Sequence, residues 1–272
     1  MSSTGYVLGQ SERAARRLAL QDQHFAAPSE ALLDTLALKP TDRVIELGCG
    51  PGEMTKRIVK RLSADGVVVG VDTSAGLLEQ AEQTLTGTGP GQHEFLQADI
   101  SKPGAWLEGA DVVIGRAVLH HVPMAEFFLG RLKGALEPGT RIGFLEPDFR
   151  RTLVALAFAE VTRPELAPLL IFAKAINDLY AAWRISPAVG ASLAPALASA
   201  GYADVRHAWH PFASDASVLE NMAMIYDEVH DTLTSLGIMT PTEIEKQQEL
   251  LRALPVGTLP PVWGLHRVTA HV

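Results

Sequence analysis

A chain of 272 residues, 47% of them apolar, can bury one large core, as a single domain or as a domain with a lid. A net charge of −8 without any dense Lys/Arg block excludes a general nucleic-acid binder, which needs a basic face to neutralise phosphates. The single cysteine, Cys49, excludes an internal disulfide. The first residues lack an apolar leader core. The longest apolar run, 152–161, is too short for a bilayer and contains Glu160, so a cytoplasmic protein with no membrane contact is expected.

In chain order, residues 5–25 read as an N-terminal helical arm whose basic cluster, Arg13, Arg16 and Arg17, looks like a solvated helix face. Residues 28–38 read as a second helix capped by Ser29, with Leu32, Leu33 and Leu36 on one face. Strands are expected at 42–48, 66–72, 93–99, 110–116 and 141–147. Helices at 53–62, 74–85 and 124–136 separate them, the second opened by Thr73 or Ser74. Strands alternating with helices across short connections predict an α/β fold with a parallel, doubly wound sheet. Near residue 150 the pattern changes to a helical stretch over 152–184. Helix, Gly201 turn and strand follow over 187–212, then helices at 216–236 and 240–254. Thr240, Pro241 and Glu243 form a capping box with proline at the first helical position, and a final strand closes the chain.

The densest chemistry lies in VIELGCGPGEMTKRI, residues 44–58. Glycines at a strand-to-helix turn let the backbone touch a ligand, and the following helix N-terminus favours polar or anionic groups. The spacing Gly48-Cys49-Gly50-Pro51-Gly52 is G-x-G-x-G, not the dinucleotide G-x-G-x-x-G. Glu46 before it would repel a pyrophosphate and attract an ammonium. Asp72 ends the next strand, where an acid suits ribose hydroxyls, and Asp99 ends the third, where one can accept from an adenine amine. The three acids thus fall at the C-terminal strand edge, the ligand edge of an open α/β sheet.

VIELGCGPG, VVVGVD, FLQADI and ADVVIGRAVLHHV resemble successive motifs of the class I S-adenosylmethionine-dependent methyltransferases, over residues 40–146. The arm YVLGQSERAARRLALQ resembles the opening of a group of bacterial small-molecule methyltransferases, through Tyr6, Leu8, Gly9, Ser11, Glu12, Arg17, Leu18 and Gln21. The resemblance implies a Rossmann-like seven-stranded, mostly parallel sheet with its last strand antiparallel, a helical lid, and S-adenosyl-L-methionine as cofactor. It implies that Gly48 and Gly50 pass the cofactor's amino-acid part and that Glu46 orients the loop or the ammonium. Asp72 would hold the ribose with Thr73 beside it, and Asp99 the adenine amine with Ile100 packed on the ring. Gly115 and Arg116 would pass beneath the methionine portion. Arg17 and Gln21 would reach its carboxylate, and Tyr6 of the same arm joins this set.

Methyl transfer from a sulfonium needs alignment and a dry site, and a base only if the acceptor must lose a proton. His120 and His121 follow the fourth strand and are the candidates, with Tyr6, Asp148 and Tyr180 as alternatives. No resident metal is expected: no H-x-x-x-H or C-x-x-C occurs, and Glu146 and Asp148, which could take Mg²⁺, more often cap or line. The expected divisions are an arm at 1–40, a cofactor core at 41–150, a lid insertion at 151–186, and a remainder at 187–272 with further lid helices. The expected reaction is O-methylation of a small, largely hydrophobic molecule, with a homodimer left open as a further partner. C-methylation, a cyclisation on the same fold, or nicotinamide-dependent oxidoreduction are the alternatives.

Overall fold

In the computed structural model, which describes residues 12–212 and 215–272, the apolar runs become the strands of one seven-stranded sheet. These are β1 (Arg43–Leu47), β2 (Val67–Asp72), β3 (Gln92–Gln97), β4 (Val112–Arg116), β5 (Arg141–Pro147), β6 (Ala203–Pro211) and β7 (Gly264–His271), in the order β3-β2-β1-β4-β5-β7-β6. β1 pairs parallel to β2 and β4, with Val44 opposite Val68 and Val112; β3 and β5 extend the parallel set. Hydrogen bonds between Val272 and residues 139–140 set the end of β7 against the start of β5, so β7 runs antiparallel, as expected.

Helices α2 (Glu53–Val59), α3 (Ala75–Leu85), α4 (Ala125–Gly134) and α7 (Val189–Ser199) connect strands. Buried on both faces, the central strands carry near-continuous β-branched runs: Val44, Ile45, Val68, Val112, Val113 and Ile114 are fully buried. Each such side chain contributes about 1.5–3 kcal/mol on leaving water.

The chain divides into two compact units. The sheet unit holds Phe25–Glu146, Val189–Trp209 and His266–Val272. The helical unit holds, among the described residues, those up to His24 and those within Pro147–Ala188 and His210–Leu265. The latter contains α5 (Phe149–Glu160), α6 (Ala167–Ala182), α8 (Ala216–Ser235) and α9 (Pro241–Arg252), packed around Leu156, Leu169, Phe172, Ile176, Tyr226 and Trp263. Phe172 meets Tyr226 and Trp263 edge-on, at ring-centroid distances of 5.2 and 5.9 Å. The capping box of Thr240 and Glu243 opens α9, with Pro241 in its first turn. No helix among the described residues is long and apolar enough to cross a membrane.

Two local expectations are corrected. The arm and the second helix are one helix, α1 (Glu12–Leu36), with Pro28 inside it. Ser29 is therefore no cap; its hydroxyl donates back to the Phe25 carbonyl at 2.6 Å. And β3 ends at Gln97, so Asp99 stands in the following loop and not at the strand end.

Candidate active site

The glycine loop leaves β1 on two backbone hydrogen bonds, Gly48 N and Cys49 N to the Val71 carbonyl at 2.7 and 3.1 Å. Gly48 has φ +64 and Gly50 φ +53, the left-handed region where a side chain is strained. Their surroundings differ. A Cβ at Gly48 would stand 2.3 Å from Val118 Cγ2, whereas a Cβ at Gly50 would meet nothing within 4 Å among the described residues. Gly48 is thus glycine because the protein packs on it. Gly50 presents bare backbone to open space, which suits a bound molecule.

Asp72 ties this loop to the next helix. Its Oδ2 accepts from Gly50 N at 3.0 Å and its Oδ1 from Ser74 N at 2.9 Å, while Ser74 caps α3. Burial pushes the Asp72 carboxyl above the ordinary aspartate range, although the amides of Ser74, Gly50 and Thr73 pull it down. Glu46 is 2% exposed and its Oε2 accepts from the Thr55 hydroxyl at 2.5 Å, fastening β1 to α2. Burial, with Glu46 and Asp72 nearby, raises the Cys49 thiol well above its usual range, so this cysteine is no thiolate nucleophile.

The remaining expected cofactor residues are placed unevenly. Thr73 is exposed, Ile100 is buried in the sheet unit's core, and Asp99 is exposed. Burial would raise the Asp99 carboxyl, but hydrogen bonds from Ser101 and Lys102 outweigh it and hold it below the usual range. Gly115 is packed so closely that a Cβ would lie 2.9 Å from Phe144 and from Val118. Arg116 donates to the Ser29 hydroxyl at 3.1 Å and lies over the Phe25 ring, so its side chain is turned to α1.

In the helical unit, Arg17 is 1% exposed, which corrects the solvated-face reading for this arginine, whereas Arg16 is exposed as expected. Its Nε meets Glu228 Oε1 at 2.7 Å and its Nη1 donates to Gln21 Oε1 at 2.6 Å. Tyr6 lies outside the described residues. Tyr180 is buried against Phe149 and Trp183, and Asp148 caps α5 by accepting from Arg151 N at 2.7 Å.

After β4 the chain turns through Ala117, a non-glycine residue at φ +50, into a short turn of helix, Leu119–His121. Strain of this kind persists where the surroundings over-determine it, and here Glu146 does so. Fully buried at the end of β5, its Oε1 accepts from Val118 N and Leu119 N, both at 2.8 Å. Its Oε2 lies 2.7 Å from His120 Nδ1. A carboxylate only accepts, so the contact calls for a proton on Nδ1 and turns Nε2 away from Glu146. The His121 ring lies tilted at 45° to this ring at a centroid distance of 4.1 Å and is more exposed. Glu146 was legible as an acid at the strand end but not as the partner of His120, because nothing local in the sequence couples residues 26 apart.

A parallel sheet whose first strand ends in a glycine loop, with a buried acid closing the second, defines a nucleotide-cofactor-binding α/β protein. A family described as a methyltransferase domain matches residues 45–142. A trans-aconitate 2-methyltransferase of Rhizobium leguminosarum bv. trifolii (strain WSM2304) is 31% identical over 197 residues, covering 71% of this chain and 72% of that one. Another from Rhodopseudomonas palustris (strain BisB18) is 38% identical over 137 residues, half of either chain. The match thus spans about half the length of some of these relatives and nearly three quarters of another. The solved cyclopropane synthase MmaA2 from Mycobacterium tuberculosis shares the fold, with TM-score 0.60 and 18% identity over 91% of this chain and 84% of that one. The chain belongs to the class I S-adenosylmethionine-dependent methyltransferases. S-adenosyl-L-methionine is the cofactor of this family.

Proposed function

We propose that the protein transfers the methyl group of S-adenosyl-L-methionine to an oxygen atom of a small molecule. The observation that carries this reading is the joint made by Gly50 and Asp72. A backbone with open space at its missing Cβ is fastened at 3.0 Å to a buried carboxylate. These residues fit the cofactor. Bare backbone suits its amino-acid portion, and the Asp72 carboxylate suits vicinal hydroxyls.

When bound, the cofactor supplies a methyl group already activated by its sulfonium charge. The chain's own residues align and exclude water. Gly48 and Gly50 bring backbone against the methionine portion. Glu46, anchored by Thr55, holds the loop from below and offers negative charge towards the ammonium. Asp72 accepts from the ribose, with Thr73 beside it. Asp99 and Ile100 take the adenine edge and face, and Gly115 with the Arg116 backbone bounds the floor. Arg17 and Gln21, bound to Glu228 and to each other, act first as structure; a role towards the cofactor carboxylate would draw on Arg17 Nη2, which is buried and has no hydrogen-bond partner among the described residues. His120, held by Glu146 through Nδ1, takes the proton of a hydroxyl acceptor on Nε2. We place the enzyme in the cytoplasm.

The names of the relatives favour a second reading of the acceptor, a small carboxylic acid yielding a methyl ester. A carboxylate is already ionised at neutral pH and needs no base, so in that case the Glu146–His120 pair shapes the site and moves no proton. Titration with S-adenosylhomocysteine tests the cofactor site. Binding near the micromolar range, about −8 kcal/mol, is expected, and its absence would withdraw the reading. Product masses after incubation with hydroxylated and carboxylic acceptors decide between the two acceptor classes.

A further inference from the structure

The helical unit holds a groove of about 550 Å³ that none of the roles above uses. It lies between the start of α5 and the end of α6, with Leu153, Asn177, Ile185 and Ser186 among its lining. Arg150 and Arg184 also line it. Neither guanidinium makes a hydrogen bond or ion pair within 4 Å among the described residues, although Arg150 feels the charge of the α5 cap Asp148. The one acid in the lining, Asp178, is paired to Lys174 at 2.5 Å. Arg150 and Arg184 are both exposed, and they give this groove two positive charges against a single acid that is already paired.

The backbone at Arg184 places the second arginine. Residue 184 follows the last turn of α6 at φ +59, and Ile185 N closes that turn on the Tyr180 carbonyl at 3.0 Å. This is the left-handed position after a helix that glycine fills without strain. A basic residue at a helix C-terminus is often explained by bonds to the last carbonyls, yet the Arg184 side chain makes none. The left-handed residue closes α6, with Arg184 N also donating to the Ala181 carbonyl at 3.1 Å, and leaves the Arg184 side chain to line the groove. The segment carrying it is locked to α5: the Pro187 carbonyl accepts from Phe149 N at 2.8 Å and from Arg150 N at 3.3 Å. Two planar forks are thus held on two tethered backbones, the arrangement that suits oxyanions.

We propose that this groove is a binding site for a small molecule carrying two carboxylate or phosphate groups, one for Arg150 and one for Arg184. Its volume falls within the range of small-ligand sites. The Asn177 and Ser186 side chains line the space between polar and apolar walls. The inference does not depend on the methyl-transfer reading, because it needs neither the glycine loop nor the cofactor. The anionic groups could belong to the methyl acceptor or to a ligand that is not methylated.

The experiment is thermal unfolding without cofactor, with tricarballylate or inorganic phosphate against sodium chloride of equal ionic strength. Wild type should melt about 2–4 °C higher with tricarballylate. Arg150→Gln should lose this shift. Arg184→Gly should lose it too while melting at or above the unliganded wild type, since glycine relieves the left-handed strain. That second variant separates loss of the site from loss of the fold. No shift in wild type, or an equal shift in both variants, overturns the proposal. If tricarballylate is the acceptor, its methyl ester appears by mass with cofactor added, and both variants raise its KM at least tenfold. If it is bound but not methylated, the shift appears without a new mass; either pattern upholds the site.

Discussion

Glu146 holds His120 through a 2.7 Å contact between Oε2 and Nδ1, while its other oxygen accepts two successive backbone amides, Val118 and Leu119. One fully buried carboxylate therefore fixes both the path of the turn after β4 and the orientation of the histidine ring on it.

From this relationship, His120→Ala should lower turnover of a hydroxyl acceptor about 10²–10⁴-fold while S-adenosylhomocysteine affinity stays within twofold. Glu146→Gln keeps an acceptor for the amides but weakens the hold on the ring, and about a 10²-fold loss of turnover is expected, again without loss of cofactor. Turnover with a carboxylic acceptor should be far less affected by either change. Steady-state rates and calorimetric titration together read this. A hydroxyl acceptor methylated at the normal rate by His120→Ala would remove His120 as the base.

Asp72 is the second test. Asp72→Asn should weaken S-adenosylhomocysteine binding by about 1–3 kcal/mol, the cost of removing a charged acceptor from buried hydroxyls. Burial raises the Asp72 carboxyl above its unfolded value, so the folded protein takes up this proton at higher pH than the unfolded chain. Its contribution to stability is therefore present at low pH and lost as pH rises through the folded value. Cofactor affinity follows the opposite course, falling on acidification at a pH above the usual aspartate range. The Asn variant should show neither trend, and an unchanged pH dependence would place the titrating group elsewhere.

The two loop glycines separate fold from function. Gly48→Ala drives a methyl against Val118 at 2.3 Å and strains φ +64, so stability should fall by about 2–4 kcal/mol. Gly50→Ala meets open space and carries only the strain of φ +53, about 1 kcal/mol. Yet Gly50→Ala should lose at least tenfold in cofactor affinity, because the new methyl occupies the space assigned to the ligand. Denaturant unfolding and titration of both variants check this. Normal affinity in Gly50→Ala would mean that the ligand approaches from another side.

The glycine loop, Asp72, the Ser74 cap and the α9 capping box were legible because each is a local pattern with a local cause: a turn, a strand end, an orphan amide. The alternation of strands and helices was legible for the same reason, since periodicity reports burial directly. Pairings of polar groups far apart in sequence leave no such mark. Arg17 looked like one of three arginines on a wet helix face, because its partner Glu228 is 211 residues away. Pro28 suggested a helix boundary, but the chain continues through it with Leu32, Leu33 and Leu36 buried beyond it. The tertiary gain of those leucines outweighs one lost hydrogen bond.

The Arg17–Glu228 pair supplies the last prediction. Both side chains are almost fully buried, at 2% and 4% exposure, and burial raises the Glu228 carboxyl although Arg17 opposes it. Removing Arg17 leaves an unpaired buried acid, so Arg17→Met should cost about 3–5 kcal/mol at neutral pH. Without the guanidinium the Glu228 carboxyl rises further, and the folded state gains by taking up a proton. The loss in Arg17→Met should therefore shrink as pH falls towards the raised carboxyl value, and return as pH rises through it. Arg17→Met combined with Glu228→Leu removes the stranded charge and should recover most of the stability. Urea unfolding across pH measures all three. A loss in Arg17→Met that is the same at every pH, or that the double variant does not relieve, would mean that Arg17 stabilises the helical unit by packing its stem and not by neutralising Glu228.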